Sequence, residues 1–276
     1  MISIRKRLPT LLAEIGMWLL SLVVIVPFLV MLFGSLKTPT EATAFDLSLP
    51  SEWQWQNYPK VIVEGKMVRA FLNGMLITGV AVIINIIVSS MAAFQIARRK
   101  TKVSEFLYYF FFIGMLAPMQ TIPTIRLMQD FNLYGTYTSV IVIYCVINMA
   151  FSIFLYTGFI RTTVPKALDE AALLDGASMV RLFFSIVFPL LKPINMTILI
   201  IVFMNIWNDV NIPIFFLNDP KKWTMPLSVY QFFGQYSGSN WNLVFANLVL
   251  TALPVLVLYL FSQRYIVSGL TQGAVK

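Results

Sequence analysis

Six stretches of this 276-residue chain are about 20 residues or longer and mainly apolar, and few folds can accommodate such stretches. They run over Leu11–Ser35, Phe71–Ala97, Phe106–Ile125, Ser139–Ile160, Ile194–Leu217 and Asn242–Ser262. About 20 mainly apolar residues in a helix cross the hydrocarbon core of a bilayer. The expectation is an all-α polytopic membrane protein with six transmembrane helices, some long enough to tilt. The fifth and sixth stretches carry Asn, Asp and Pro, so their edges are less sharply marked.

Composition agrees. The chain is 58% hydrophobic and 12% charged, whereas a water-facing domain needs about 25% charged residues to cover its surface. The formal net charge is +8 and there is no histidine. That excludes histidine proton relays, histidine metal ligands and Ser-His or Cys-His catalysis. The positive residues sit in short clusters between apolar runs, which fits orientation in a membrane better than nucleic-acid binding. Cys145 stands alone in an apolar run and reads as a small buried hydrophobe, with no disulfide framework.

The loop charges set the expected orientation. With the N-terminus inside, the inner segments hold Arg5, Lys6, Arg7, Arg98, Arg99, Lys100, Lys102, Arg161, Lys166, Arg181, Lys192, Arg264 and Lys276, which is 13 of the 20 positive residues. Cytoplasmic loops carry such an excess, so both termini are expected in the cytoplasm. The first stretch follows Arg5-Lys6-Arg7 but is too long for a signal-peptide core, and it reads as a retained span. Outside, the loop Lys37–Arg69 holds Trp53, Trp55 and Tyr58 with prolines at 39, 50 and 59, a composition suited to the membrane–water interface.

The longest inner connection is the 33-residue stretch Arg161–Pro193, and its residues are not those of a passive linker. Pro165 is placed to open a helix, where its missing N–H is not needed. Asp169 and Glu170 follow early in that helix, where carboxylates offset the positive end of the dipole. Leu168, Ala171, Ala172 and Asp175 lie on neighbouring faces. Gly176 weakens the helix by about 1 kcal/mol relative to Ala. A second amphipathic stretch runs through Ile186 and stops near Pro189. Two short helices meeting at a glycine, with small side chains and one carboxylate, suit a groove on a partner protein.

Glu170-Ala171-Ala172, three residues, Gly176, nine residues, Ile186, one residue, then Phe188-Pro189 resembles the E-A-A loop of ABC importer permeases, with Phe188 where that family usually has Leu. The similarity extends to Phe71-Leu72-Asn73-Gly74, to Ala92-Ala93-Phe94-Gln95-Ile96-Ala97-Arg98, to Trp207-Asn208-Asp209 with Pro213, and to the glycine-containing tail Gln263–Lys276. These segments are similar to the maltose-type carbohydrate permeases, and the chain resembles the smaller second permease of that group.

The resemblance implies a single permease domain over residues 1–276, with an importer core at about 70–265 and a coupling loop at 161–193. It implies a type I importer: a second homologous permease, most simply a heterodimer partner, two ABC ATPase subunits, and an extracytoplasmic solute-binding protein. Glu170 would pair with a basic residue of the ATPase, Ala171 and Ala172 would allow close approach, Gly176 would supply the bend, and Asp175, Ile186 and Pro189 complete the ATPase-coupling set. The similar tail implies that Thr271–Lys276 also reaches the ATPase interface. The chain would hold no cofactor and no ATP site, since ATP and magnesium would be bound by the ATPases; no metal or nucleic-acid site is expected.

For the translocation path the candidates are Asn205, Trp207, Asn208, Asp209 and Asn211. A central Asp costs about 2.5–3.5 kcal/mol on insertion scales, which marks Asp209 as functional by default. At about 1.5 Å per residue it lies some 20 Å above the inner end of the fifth stretch. Amides, one acid and an indole suit a hydroxyl-rich solute such as a carbohydrate; helix–helix packing within the membrane is the competing role. Asn73, Asn85, Asn148 and Asn247 are expected to pack. The alternatives are a permease for a non-sugar solute and an ion-coupled secondary transporter. The latter would show paired buried charges and inverted repeats.

Overall fold

The computed structural model describes residues 4–99, 101–233 and 240–274, with side chains described from 13 to 261 within that set. All regular structure among these residues is helical. Side-chain readings for Arg5, Lys6, Arg7, Lys100, Arg264 and the tail Thr271–Lys276 lie outside the described residues.

In chain order the α-helices are α1 Ile4–Gly34, α2 Pro39–Ala42, α3 Asn57–Glu64, α4 Met67–Arg98, α5 Lys102–Gly114, α6 Thr121–Asp130 and α7 Tyr137–Thr163. They continue with α8 Lys166–Leu174, α9 Met179–Arg181, α10 Phe188–Leu190, α11 Lys192–Trp207, α12 Asn211–Phe216, α13 Met225–Ser228 and α14 Trp241–Ala274. A π-helical turn, Leu182–Val187, joins α9 to α10. Among the described residues, four helices are long and apolar enough to cross a membrane: Ala13–Gly34 of α1, α4, α7, and Trp241–Phe261 of α14. The segment Met179–Leu190 with α11 makes a fifth, bent by 76°.

The third and fifth apolar stretches differ from the continuous helices expected. Phe106–Ile125 is split: α5 ends at Gly114, residues 115–120 are irregular, and α6 restarts at Thr121. Ile194–Leu217 is split at residues 208–210 between α11 and α12. Proline position supplies the reason. Pro123 and Pro213 each occupy the third residue of the restarted helix, and a proline is tolerated in a first turn but removes a hydrogen bond in a helix interior.

The residues form two compact units, Met1–Val68 with Ser228–Leu253, and Arg69–Leu227 with Pro254–Lys276. In the first, the loop after α1 is organised by buried polar groups. Asn57 Nδ2 donates to the carbonyls of Ser35 at 2.9 Å and Lys37 at 3.1 Å, and Asn242 Nδ2 donates to Asn57 Oδ1 at 3.0 Å. Lys37, buried to 1% exposure, donates its ammonium to Asp46 Oδ1 and Ser48 Oγ. Trp53 and Trp55 remain exposed, with near-parallel rings. Trp18, Leu20 and Val23 of α1 are also exposed, an apolar surface too extensive for a protein in water.

The second unit is built on α4, α7 and α11, whose inner faces contribute Ile77, Ala81, Ile153, Tyr156, Ile198 and Val202 to one core. Buried amides act as packing groups here. Ser152 Oγ donates to Asn85 Oδ1 at 2.6 Å, and Asn73 bridges the Lys221 and Trp223 carbonyls while accepting from Tyr137 Oη.

Candidate functional site

Two places in the second unit bring the sequence-selected residues together. The first is the loop between α7 and α11. α8 is closed at its C-terminus by a Schellman turn: Ala177 N–H donates to the Ala172 carbonyl at 3.0 Å and Gly176 N–H to the Leu173 carbonyl at 3.1 Å. Gly176 takes φ +78°, in the left-handed region, and a Cβ there would meet nothing within 4 Å. The glycine is thus required by backbone conformation rather than by space. This gives the E-A-A-x-x-x-G spacing a physical basis, because the second alanine supplies the carbonyl that the turn closes on. Ser178 then caps α9, its Oγ accepting from Arg181 N–H at 3.3 Å.

Around this turn Ala172 is buried, whereas Glu170, Ala171, Leu173, Leu174 and Asp175 are exposed. Leu174, at 89% exposure, is the most exposed large hydrophobic residue of the loop. Ile186 lies in the π-helical turn and Pro189 in α10. The second arm therefore continues past Pro189 to Leu190 before the 76° bend into α11.

Asp169, in the first turn of α8, turns inward. Its carboxylate meets the Arg98 guanidinium, with Nε to Oδ2 at 2.5 Å and Nη2 to Oδ1 at 3.2 Å. Loop charge alone gives Arg98 only a role in orientation. A long separation in sequence conceals such a pair, and no local spacing signals it.

The second place is a cavity of about 670 Å³ between the two broken helices and α7. Asn205, Asn208, Asp209 and Asn211 line it, with Asn148, Thr121, Tyr144 and the apolar side chains of Met119, Met204 and Phe215 among the other walls. Non-helical backbone at membrane depth is tolerated where it is buried in protein or lines a water-filled cavity. Both breaks, at 115–120 and 208–210, adjoin this one.

The polar residues do not form a stripe on one helix. α11 ends at Trp207, Asn208 is its C-cap, and Asp209 closes over the start of α12. Asp209 Oδ1 accepts from Asn211 N–H at 3.0 Å; Oδ2 accepts from Ile212 N–H at 3.0 Å and from Tyr144 Oη at 2.9 Å. Both carboxylate oxygens are engaged by the protein itself, and they satisfy N–H groups that a helix start leaves orphaned. Pro213 was the available signal, since it demands a helix start just before it.

Trp207 lies outside the cavity wall. It is buried, stacks on Phe203 with centroids 5.6 Å apart, meets Phe71 edge-on, and faces Gly74, where a Cβ would approach its ring to 3.2 Å. The aromatic wall is Tyr144, Phe215 and Phe216 instead. Asn148, expected to pack, lines the cavity while donating to the Tyr144 carbonyl at 2.9 Å. Among the described residues there is no cluster of three or more Asp, Glu or Cys able to hold a metal ion.

A sequence profile of the family described as binding-protein-dependent transport system inner membrane component matches residues 85–272. The chain is 39% identical over 253 residues to the melibiose/raffinose/stachyose import permease protein MelC of Bacillus subtilis, covering 91% of each. It is 35% identical to the probable starch degradation products transport system permease protein AmyC of Thermoanaerobacterium thermosulfurigenes, over 100% of this chain and 98% of that one. Among solved structures, a chain of a bacterial ABC transporter involved in the import of the acidic polysaccharide alginate superposes with a TM-score of 0.84. It is 18% identical and the match covers 96% of this chain and 99% of that one, a likeness of fold. The profile's span, together with relatives above 30% identity along nine-tenths or more of the chain, establishes that this protein belongs to the binding-protein-dependent transport system inner membrane components and is a multi-pass permease subunit of an ABC importer.

Proposed function

We propose that this permease carries an uncharged sugar or short oligosaccharide through the cavity at the two helix breaks, and that the loop 161–193 couples that passage to ATP hydrolysis by partner subunits. The observation that carries the reading is the cavity wall. It offers the amides of Asn148, Asn205, Asn208 and Asn211 and the Thr121 hydroxyl beside aromatic rings, and its lining contains no Lys or Arg. Hydroxyl-rich ligands need donors and acceptors on one side and an apolar ring surface on the other. The carboxylate of Asp209 is already engaged, which favours a neutral solute over a cation. The names of MelC and AmyC, which refer to oligosaccharides and starch products, support the same class.

In this reading the chain is one permease domain with six membrane crossings, the third and fifth broken, and both termini in the cytoplasm. The loop then faces inward. Exposed Glu170 pairs with a basic residue of an ABC ATPase, and the apolar side chains Leu173 and Leu174 beside it enter that subunit's groove. A second homologous permease completes the pore, an extracytoplasmic solute-binding protein delivers the sugar, and two ATPases hold ATP and magnesium.

Uptake in proteoliposomes containing the whole transporter tests the path. Asn205→Leu with Asn208→Leu should abolish sugar uptake while leaving the solute-binding protein's affinity for sugar unchanged; undiminished uptake would remove the cavity from the path. For the loop, Glu170→Lys or Gly176→Leu should release the ATPases during purification. Retention of ATPase with normal transport in both variants would sink the docking role.

A further inference from the structure

Arg98 ends α4, and its guanidinium spans the junction of α7 and α8. Besides the Nη2 hydrogen bond to Asp169 Oδ1 and the Nε ion-pair contact with its Oδ2, Nη1 donates to the Val164 carbonyl at 3.1 Å, and Nη2 lies 3.5 Å from the Pro165 carbonyl. Val164 is the C-cap of α7 and Pro165 the N-cap of α8, so one side chain ties the end of one helix to the start of the next. The pair is sheltered, with side-chain exposures of 11% for Arg98 and 14% for Asp169. A planar fork fixes orientation as well as distance, which a single ammonium does not.

The same end of α4 also holds the far flank of the loop. The Arg98 guanidinium lies 5.9 Å from the Phe94 ring centroid, Phe94 packs on Phe183 at 5.5 Å, and Phe183 packs on Phe188 at 5.8 Å. Phe183 belongs to the π-helical turn and Phe188 to α10. The loop is therefore attached to α4 on both sides of the Schellman turn. On α8, the neighbouring carboxylate of Glu170 is exposed.

We propose that Arg98 is a positioning residue: its fork on Asp169 makes α8 move as one body with the end of α4, so that displacement of the loop by the ATPases is delivered into the transmembrane core. This rests on the reading of 161–193 as the ATPase-docking loop. It assigns the two adjacent acids separate tasks. Asp169 transmits motion within the permease, and Glu170 contacts the partner.

The test uses the assembled transporter, with its ATPases and solute-binding protein, in proteoliposomes, and compares wild type with Arg98→Lys, Asp169→Asn and the double variant. Lysine keeps the positive charge that orients the chain but cannot form the fork. The expected result is full ATPase copurification, unchanged basal ATP hydrolysis, and sugar imported per ATP lowered by roughly 5- to 150-fold, the usual range of coupling between sites. The double variant should be no worse than the more severe single one. Wild-type import per ATP in both single variants would overturn the proposal, as would losses that multiply in the double variant. Release of the ATPases by Arg98→Lys would also overturn it, by making Arg98 part of docking alone. Glu170→Lys is measured in parallel. If it retains the ATPases, Glu170 docking fails, and the Arg98 variants still decide the clamp through import per ATP.

Discussion

Removing the Asp209 carboxylate should loosen the second helix break by an amount that the structure allows to be set in advance. In Asp209→Ala, the N–H groups of Asn211 and Ile212 and the hydroxyl of Tyr144 all lose their acceptor. Loss of a capping side chain costs about 0.5–2 kcal/mol. The low half of that range applies, because Asn211 is exposed and cavity water can replace the acceptor. Tyr144 is 3% exposed, and stranding a buried donor costs about 1–3 kcal/mol more. Local opening of residues 208–216 should then become easier by about 2–4 kcal/mol, with the cap contributing about 1. In hydrogen exchange on the reconstituted transporter, about 2 kcal/mol corresponds to roughly 30-fold faster exchange, so the peptide containing Asn211 and Ile212 should exchange faster by at least that factor. Tyr144→Phe separates the two contributions: it removes the hydroxyl's bond to Asp209 but keeps both cap bonds and strands no donor, so this peptide should speed up less than in Asp209→Ala. If Asp209→Ala leaves its exchange unchanged, the carboxylate is not what holds the break, and the account of Asp209 as a cap is wrong.

Two further outcomes follow from local geometry. Gly176→Ala introduces a non-glycine residue at φ +78° with no steric contact, so only the left-handed backbone is penalised, by about 1–2 kcal/mol; exchange at Ala177 N–H should speed up, and Gly176→Asn should recover part of the loss because Asn visits that region more readily. The loop after α1 should depend on acid. Hydrogen bonds from Ser51 and from Thr38 hold the Glu41 carboxyl near 2 against an ordinary 4.5, and Lys37 followed by Ser48 holds Asp46 near 2 against 3.8. Depressed folded values mean that the stabilisation is complete above the ordinary values and is lost as pH falls from about 4.5 towards 2. The fluorescence of exposed Trp53 and Trp55 should therefore be constant at pH 6 to 5 and change below about 4, and a transition centred near neutrality would contradict this origin.

What the sequence made legible was what depends on short spacing. The apolar runs mark α1, α4, α7 and α14, and the E-A-A-x-x-x-G spacing mirrors the Schellman turn because that motif is closed by residues five apart, Ala172 and Ala177. The helix breaks were less legible. Apolar side chains dominate on both sides of them, so hydropathy reads straight through, and only Pro118, Pro123 and Pro213 mark where a helix must stop or restart. Trp207 was misplaced for a related reason. Treating residues 205–211 as one helix puts its indole beside the amides, whereas the break after Trp207 turns Asn208 and Asp209 towards the cavity and leaves the indole against Phe203 and Phe71.

The charge pattern hid a second layer of meaning. Arg98 counts towards orientation because it is positive and flanks a span, and for that purpose Lys would serve equally. The structure gives it a geometric task that Lys cannot perform, a fork on Asp169 together with the carbonyls at the α7–α8 junction. Arg161 shows the same duality in weaker form, its guanidinium lying 5.0 Å from the Tyr108 ring and linking α7 to α5. A positive residue at the end of a span thus has two separable contributions, one to insertion that depends on charge alone and one to the relative motion of helices that depends on shape. Arg-to-Lys exchange at each end separates them. The sheltered fork at Arg98 predicts the larger loss of coupling, because lysine leaves part of a sheltered carboxylate unpaired, whereas at Arg161 lysine can still place its charge over the ring.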